Sequence, residues 1–585
     1  MNTGTALASG ILVFSLYIIA VLIVARRRSR RLGTAPGTAA TAESGAALEA
    51  APGAAPGAEE FYLRNRNLGW IPLLLTTAAT NFSAFTVLGL SGAGYRMGYV
   101  FYPAMALGTG FMALGMYLVG LPLREEGGRR GWITPVDLVR DRFRSPPVTG
   151  LFAACLVLFT LPYLALQPMA AGFLLESAWG LPYRAGALAV AALVALYTAR
   201  GGLRSLTRTD SFHGLLLAAL AVAAWVLVMR SAGGFRAAHE AVAASAPGLL
   251  GRPGGTSGAG GLSPLALAGY YLLWFLADPM FPQLGQRFLA SKDRKSLERM
   301  VTVYPLVTTL LFFFTISVGV AGAALLPGLG AADSDRIWLL ALLRAAGPAA
   351  YALFLLAPVS ALVSTMDSQL LTLSSILCRE LGLPAGWKRG AIFGIAAAGA
   401  LIAMFPPANI LSFLNRTSFI GYAALAPAFL GAIYSRKASA AGAMASIVAG
   451  ETAVVLSGLR ILVVPGLPEV FIVAALSWAA WVGGNAAAAR RGAGKTPPEA
   501  SPALAGHPGE PPFAARSLSE TLPLPWALAF LAIPLSTLDF WNWGKSPLLV
   551  MGFPLWAARC AAAGFLLSAM FALFFSRKAG RRGRI

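Results

Sequence analysis

LGWIPLLLTTAATNFSAFTVLGLSGAGYRMG, residues 68–98, starts as an apolar helix and then loses the pattern. The polar run TTAATNFS at 76–83 interrupts it, and Gly89, Gly92 and Gly94 follow. A second stretch, LALAGYYLLWFLADPMFPQLGQ at 265–286, is broken by Asp278, Pro279, Pro282 and Gly285. Proline removes a backbone donor and frees carbonyls. At membrane depth such breaks survive only where they line a cavity or lie buried in protein. Two matching breaks therefore point to a site halfway across a bilayer.

The rest of the chain supplies the bilayer context. Its 585 residues are 57% hydrophobic and only 12% charged, with a mean hydropathy of +0.68. Soluble domains carry about twice that charge. Apolar runs close to 20 residues recur along the chain, the length a membrane-crossing helix needs. Three scattered cysteines and three separated histidines form no disulfide framework, zinc spacing or other transition-metal site. The net charge of +22 sits in short Arg/Lys blocks between apolar runs, which argues for membrane topology and against a nucleic-acid partner.

Fifteen helices are expected, near 10–25, 68–90, 98–122, 147–177, 183–199, 209–230, 263–288, 300–328, 348–379, 390–406, 408–434, 438–458, 468–488, 523–539 and 555–576. With loops numbered alternately, 35 of the 46 Lys and Arg fall on one side, which the positive-inside rule makes cytoplasmic. That places the N-terminus outside and the C-terminus in the cytoplasm. Arg559 then needs a position at the outer interface. The first helix lacks a preceding basic region and is followed by RRRSRR, which suits a retained span better than a cleaved signal.

The expected organisation is an extra transmembrane helix in 1–30 and a flexible linker in 31–66, then a five-helix repeat in 67–231. An outer loop follows in 232–262, and an inverted second repeat in 263–435. Two peripheral helices in 436–490, a Pro/Ala-rich linker in 491–522, two more helices in 523–576 and a basic tail in 577–585 complete the chain. The fold class is thus an all-α polytopic membrane protein, with one extra N-terminal and about four extra C-terminal helices around a five-plus-five core. The two sets of five start from opposite sides of the membrane, and each begins with a broken helix. Inverted repeats of this kind mark secondary transporters with a site near the midplane.

Within the second repeat, ALVSTMDSQLLTLSS (361–375) carries eight polar residues inside an apolar passage. At 100° per residue, Ser364, Thr365, Ser368, Thr372 and Ser375 share one stripe with Ala361. Hydroxyl and small residues let membrane helices pack closely and bond to their own carbonyls. A cluster of neutral oxygens also suits a hard monovalent cation. The stripe alone leaves both readings open.

These pieces resemble the sodium:solute symporter family, which includes bacterial proline, pantothenate and monocarboxylate permeases and sodium–sugar cotransporters. The resemblance rests on ATNFSAFTVLGLSGAGYRMG (79–98), TPVDLVRDRF (134–143), YLALQPMAAG (163–172), YTARGGLRSLTRTD (197–210), DPMFPQLGQRFLASKD (278–293) and ALVSTMDSQLLTLSS, and covers roughly 60–490. It implies a LeuT-like inverted-repeat fold, transport without enzymatic chemistry, Na+ as coupling ion and no organic cofactor. By position it implies a sodium site built from the carbonyls of Ala79, Phe82 and Ala361 and the hydroxyls of Ser364 and Thr365. It also places an acidic residue, here Asp210, at the cytoplasmic end of the fifth core helix; an interfacial pair with Arg204 or Arg208 is the alternative. Asn81 stands where proline-type members have an aspartate.

Candidates for contact with the solute are Asn81, Ser83, Tyr163, Gln167, Trp274, Asp278 and Arg416. Tyr163 and Gln167 are four apart and share a helix face. Arg416 could receive a carboxylate with two parallel hydrogen bonds, or rest at the outer interface. Together with Arg416, the YLALQ piece, which resembles the carboxylate-carrying branches of the family, leans toward a small organic anion or amino acid, with a sugar as the alternative. Asp278 is the candidate titratable group for a proton-coupled alternative. A transporter-like sensor and a membrane enzyme are the remaining rivals. No downstream kinase domain supports the first, and no His, Cys or carboxylate cluster supports the second.

Overall fold

The computed structural model describes residues 3–26, 58–255, 261–330, 333–406, 418–491 and 513–582. Helix α1 (Thr3–Arg26) comes first, and α2 (Ala58–Leu63) forms inside the stretch expected as a flexible 31–66 linker. The segment expected as the first repeat contains α3 (Trp70–Asn81), α4 (Leu90–Met97), α5 (Phe101–Arg130), α6 (Val136–Phe143), α7 (Pro146–Trp179) and α8 (Tyr183–Ser231). Helix α9 (Phe235–Ser245) lies in the connection to the second repeat. That repeat contains α10 (Pro264–Ala277), α11 (Pro282–Ala290), α12 (Arg294–Leu325), α13 (Ile337–Phe354), α14 (Leu356–Glu380), α15 (Lys388–Ala403) and α16 (Ile420–Tyr434). Then come α17 (Ala440–Gly458), α18 (Glu469–Arg490), α19 (Leu518–Thr521) and α20 (Leu524–Ser536). A two-strand hairpin, β1 (Leu549–Val550) with β2 (Phe553–Pro554), precedes α21 (Leu555–Arg582).

Among the described residues, nine helices are long and apolar enough to cross a membrane. Their burial separates core from periphery. The most apolar window of Phe85–Arg130 is 100% buried and that of Tyr351–Glu380 is 89% buried, against 28% for Glu469–Arg490. Leu158, Leu215, Leu401 and Val482 are exposed on the outer faces, whereas Ser, Thr and Asp side chains fill the interior. Polar residues are costly against lipid and so turn inward. Small residues then allow the closest approach. A Cβ on Gly319 of α12 would stand 1.9 Å from the Ser91 carbonyl, and one on Gly94 of α4 would stand 2.4 Å from the Ile316 carbonyl.

Several boundaries differ from the sequence expectation for local reasons. The helices expected at 183–199 and 209–230 join into α8, which kinks at Gly202 (φ 55°, ψ −171°) where the backbone meets the Phe61 carbonyl. The helix expected at 348–379 divides into α13 and α14, with Gly347 kinked at φ 76°. The segment 232–262, expected as an outer loop, contains helix α9, with Ala238, His239 and Val242 buried. Part of the expected 491–522 linker is anchored: Arg516 pairs with Glu125 at 2.7 Å and Glu126 at 3.2 Å. Arg559 is half exposed and pairs with buried Asp539 at 2.5 Å. Residues 407–417, the first part of the helix expected at 408–434, lie outside the described residues.

Candidate ion and solute site

Helix α3 ends at Asn81, and Phe82 is extended (φ −88°, ψ 99°) before the chain re-enters helix. The break is clean: the Phe82 amide still bonds back to Ala78 O at 2.8 Å, while the carbonyls of Ala79 and Phe82 are left for other partners. Helix α14 supplies them. Ser364 Oγ donates to Ala79 O at 2.8 Å and lies 3.2 Å from Ala361 O. Thr365 Oγ1 donates to Phe82 O at 3.3 Å. All five residues are buried. The geometry thus brings together three carbonyls and two hydroxyls, a donor set of neutral oxygens at an unwound segment. Such a set fits a hard monovalent cation, because each hydroxyl can rotate its proton away and offer a lone pair.

The second break faces the first. Helix α10 ends at Ala277, Asp278–Met280 forms one tight turn, and Phe281 is extended (φ −59°, ψ 118°) ahead of α11. Asn81 Nδ2 donates to Tyr304 Oη at 2.8 Å and lies 3.4 Å from Asp278 Oδ2. Tyr163 Oη lies 3.5 Å from Asn81 O. Between the two breaks is a cavity whose empty space, its open mouth included, is about 380 Å³. Asn81, Ser83, Tyr163, Trp274 and Asp278 all line it. Gln167 does not. One turn along α7, it is fully buried and its amide donates to the Tyr163 carbonyl at 3.0 Å. Arg416 lies outside the described residues.

Asp210 has a different partner from the one its neighbours suggest. Arg204 instead lies 3.2 Å from Glu60. The Asp210 carboxylate meets Arg287 Nη2 of α11 at 3.2 Å and Thr76 Oγ1 of α3 at 2.5 Å. Arg287 also donates to Ser368 Oγ, whose hydroxyl lies 2.9 Å from Thr80 Oγ1. Asp367 joins through Ser368 at 3.2 Å and through Tyr197 of α8. A buried ionic network therefore lies one helical turn below the oxygen cluster and ties α3, α8, α11 and α14 together. Sequence reasoning missed Arg287, because QRFLASKDRK reads as one cytoplasmic charge block. The proximity of Arg287 to the broken helix was the available signal. It also missed Tyr304 and Phe419, whose apolar surroundings look like ordinary packing.

Paired discontinuous helices beside a hydroxyl-bearing helix define a secondary transporter of the LeuT-like inverted-repeat class. The chain belongs to the sodium:solute symporter family, whose model matches residues 61–450. It is 29% identical to the sodium/pantothenate symporter of Escherichia coli over 69% of this chain and 85% of that protein. It is 28% identical to the osmoregulated proline transporter of Bacillus subtilis, with coverage of 68% and 82%. A sodium/proline symporter of Staphylococcus aureus is 27% identical, with coverage of 68% and 80%. Among solved structures, a Na+-coupled sialic acid symporter superposes with a TM-score of 0.62 at 14% identity, over 83% of this chain and 98% of that one. Mhp1, a nucleobase-cation-symport-1 family transporter, gives 0.55 at 13% identity, over 76% and 98%. The protein is thus a multi-pass membrane transporter and not an enzyme. Sodium is the coupling ion of its family, and transport of this kind needs no organic cofactor.

Proposed function

We propose that this protein is a sodium-coupled symporter of the bacterial inner membrane that imports a small organic solute by alternating access. In this reading Ala79, Phe82, Ala361, Ser364 and Thr365 hold the ion, and the solute, a carboxylate or amino acid, occupies the adjoining cavity. The N-terminus is outside and the C-terminus cytoplasmic. The observation that carries the reading is the 2.8 Å approach of Ser364 Oγ to the unwound Ala79 carbonyl. An ion there would pin α3 to α14, so its arrival and departure change how the two helices associate. Asp210 and Arg287 then act as a cytoplasmic closure between α8 and α11.

One ion is energetically sufficient. A sodium ion entering down about 100 mV yields roughly 2.3 kcal/mol, and a tenfold concentration gradient adds about 1.4 kcal/mol. Together these support roughly 500-fold accumulation of a net-neutral solute per ion.

The direct test is radiolabelled-sodium binding to the purified protein, with potassium chloride as the competitor salt. Saturable binding that potassium does not displace, and that weakens in S364A and T365A, supports the assignment. If neither substitution alters sodium binding, the ion lies elsewhere. If no sodium binds and uptake follows the proton gradient, the coupling ion is the proton and Asp278 is the group to examine.

A further inference from the structure

The cavity between the two breaks is chemically lopsided. Among its described lining residues, Asp278 is the one carboxylate, and there is no Lys, Arg or His. Asp278 is 2% exposed. Its Oδ2 has only the long 3.4 Å contact with Asn81, and Oδ1 has no partner. A carboxylate buried without a cation is expensive, and a positively charged ligand would offset that cost. An organic anion in the same space would either meet the ionised carboxylate with a second negative charge or require Asp278 to take up a proton, whereas a cationic group favours the ionised form outright.

Two further features point the same way. Trp274 stands four residues before Asp278, on the same face of the helical run, and its indole Nε1 is buried without an acceptor. Tyr163, Trp274, Phe281 and Phe419 pack around this space as a group of rings. Their centroids lie 5.0 Å apart for Trp274 and Phe419, 5.4 Å for Tyr163 and Phe419, and 5.6 Å for Tyr163 and Phe281. Ring faces attract ammonium groups, more strongly once water is excluded. The free space left among these side chains is narrow, which limits the solute to a small molecule.

We infer that the solute carries a positively charged nitrogen, held between Asp278 and the aromatic rings, and an oxygen acceptor that takes the Trp274 N–H. This describes a small zwitterion, an amino acid or a betaine. The inference rests on the symporter reading and divides it, since it retains amino acids and removes simple carboxylates.

The test compares ligands that differ only at the nitrogen. The purified full-length protein is held in sodium chloride, and its thermal stabilisation is titrated with L-proline against cyclopentanecarboxylate, and with glycine betaine against 3,3-dimethylbutanoate. At least one nitrogen-bearing member should stabilise at tenfold or more lower concentration than its carbon isostere. D278N should remove that preference, D278E should retain part of it, and W274F should weaken the nitrogen-bearing ligand without erasing the discrimination. If D278N does not fold, D278E and W274F still carry the test. Equal stabilisation by both members of each pair, stabilisation by the carboxylates alone, an unchanged preference in D278N, or no stabilisation by either nitrogen compound overturns the inference. Sodium binding in S364A and T365A is read separately. Discrimination by nitrogen alongside unaltered sodium binding in both S364A and T365A would sink the ion-site assignment and leave this inference standing.

Discussion

The Arg287 guanidinium lies 3.2 Å from the Asp210 carboxylate, and neither side chain reaches solvent. The pair joins a helix of the first repeat to the second broken helix, just below the oxygen cluster. Arg287 Nη1 and Asp210 Oδ1 have no partner, so the pair is held mainly by its own charge and by Thr76 and Ser368. Removing one partner leaves the other charge buried alone, at a cost of about 3–5 kcal/mol. D210N and R287M should each lower the unfolding temperature strongly, whereas the double variant should recover part of the loss. A double variant no better than the sum of the singles, in a thermal-unfolding cycle, would mean the two residues act independently.

Ser364 and Thr365 each offer one hydroxyl to the proposed ion. A hydrogen-bond-strength interaction with a charged group is worth about 1.5–3 kcal/mol. S364A or T365A should therefore raise the sodium concentration for half-maximal binding by about tenfold or more, with membrane insertion intact. The check is a sodium titration beside a measure of protein recovered from the membrane.

In the connection between α5 and α7, Asp137 of α6 receives Arg379 at 2.6 Å, Arg140 at 2.5 Å, and the backbone N–H groups of Ile133 and Thr134. Burial alone would raise its carboxyl, but the two guanidinium groups and the amides outweigh burial and hold it below its usual 3.8. A depressed carboxyl contributes stability above the unfolded-state value and loses it as pH falls through the folded one. The wild type should therefore unfold at a higher temperature than D137N at pH 6–7. The gap should narrow as the pH drops below about 4. A gap that stays constant with pH would show that the Asp137 charge does not matter.

Gly202 has φ 55° and ψ −171°, a region essentially reserved for glycine, and an added Cβ would lie 2.7 Å from the Phe61 carbonyl. G202A should cost about 1–3 kcal/mol from the backbone alone. The contact with α2 adds to that. Limited proteolysis of the 58–66 segment should accelerate in this variant, and unchanged proteolysis would refute the proposed contact.

The sequence alone determined the membrane class, the all-helical character and the pairing of two interrupted helices, though not every helix boundary. Those features follow from periodicity, run length and the special backbone chemistry of Pro and Gly, all of which are local. The hydroxyls of Ser364 and Thr365 were visible as part of a stripe at 100° per residue, whereas the carbonyls of Ala79, Phe82 and Ala361 entered only through the family resemblance. Tertiary structure decided what local pattern cannot encode: which surfaces meet. Arg287 looked like part of a cytoplasmic charge block until α11 turned it inward onto Asp210. Gln167 shared a face with Tyr163, yet a small difference in depth along α7 took it out of the cavity. The boundary between α13 and α14, and the anchoring of Arg516, likewise depend on partners distant in the chain. A side chain's type limits the chemistry it can perform. Its neighbours fix its charge environment, and those are set only when the helices pack.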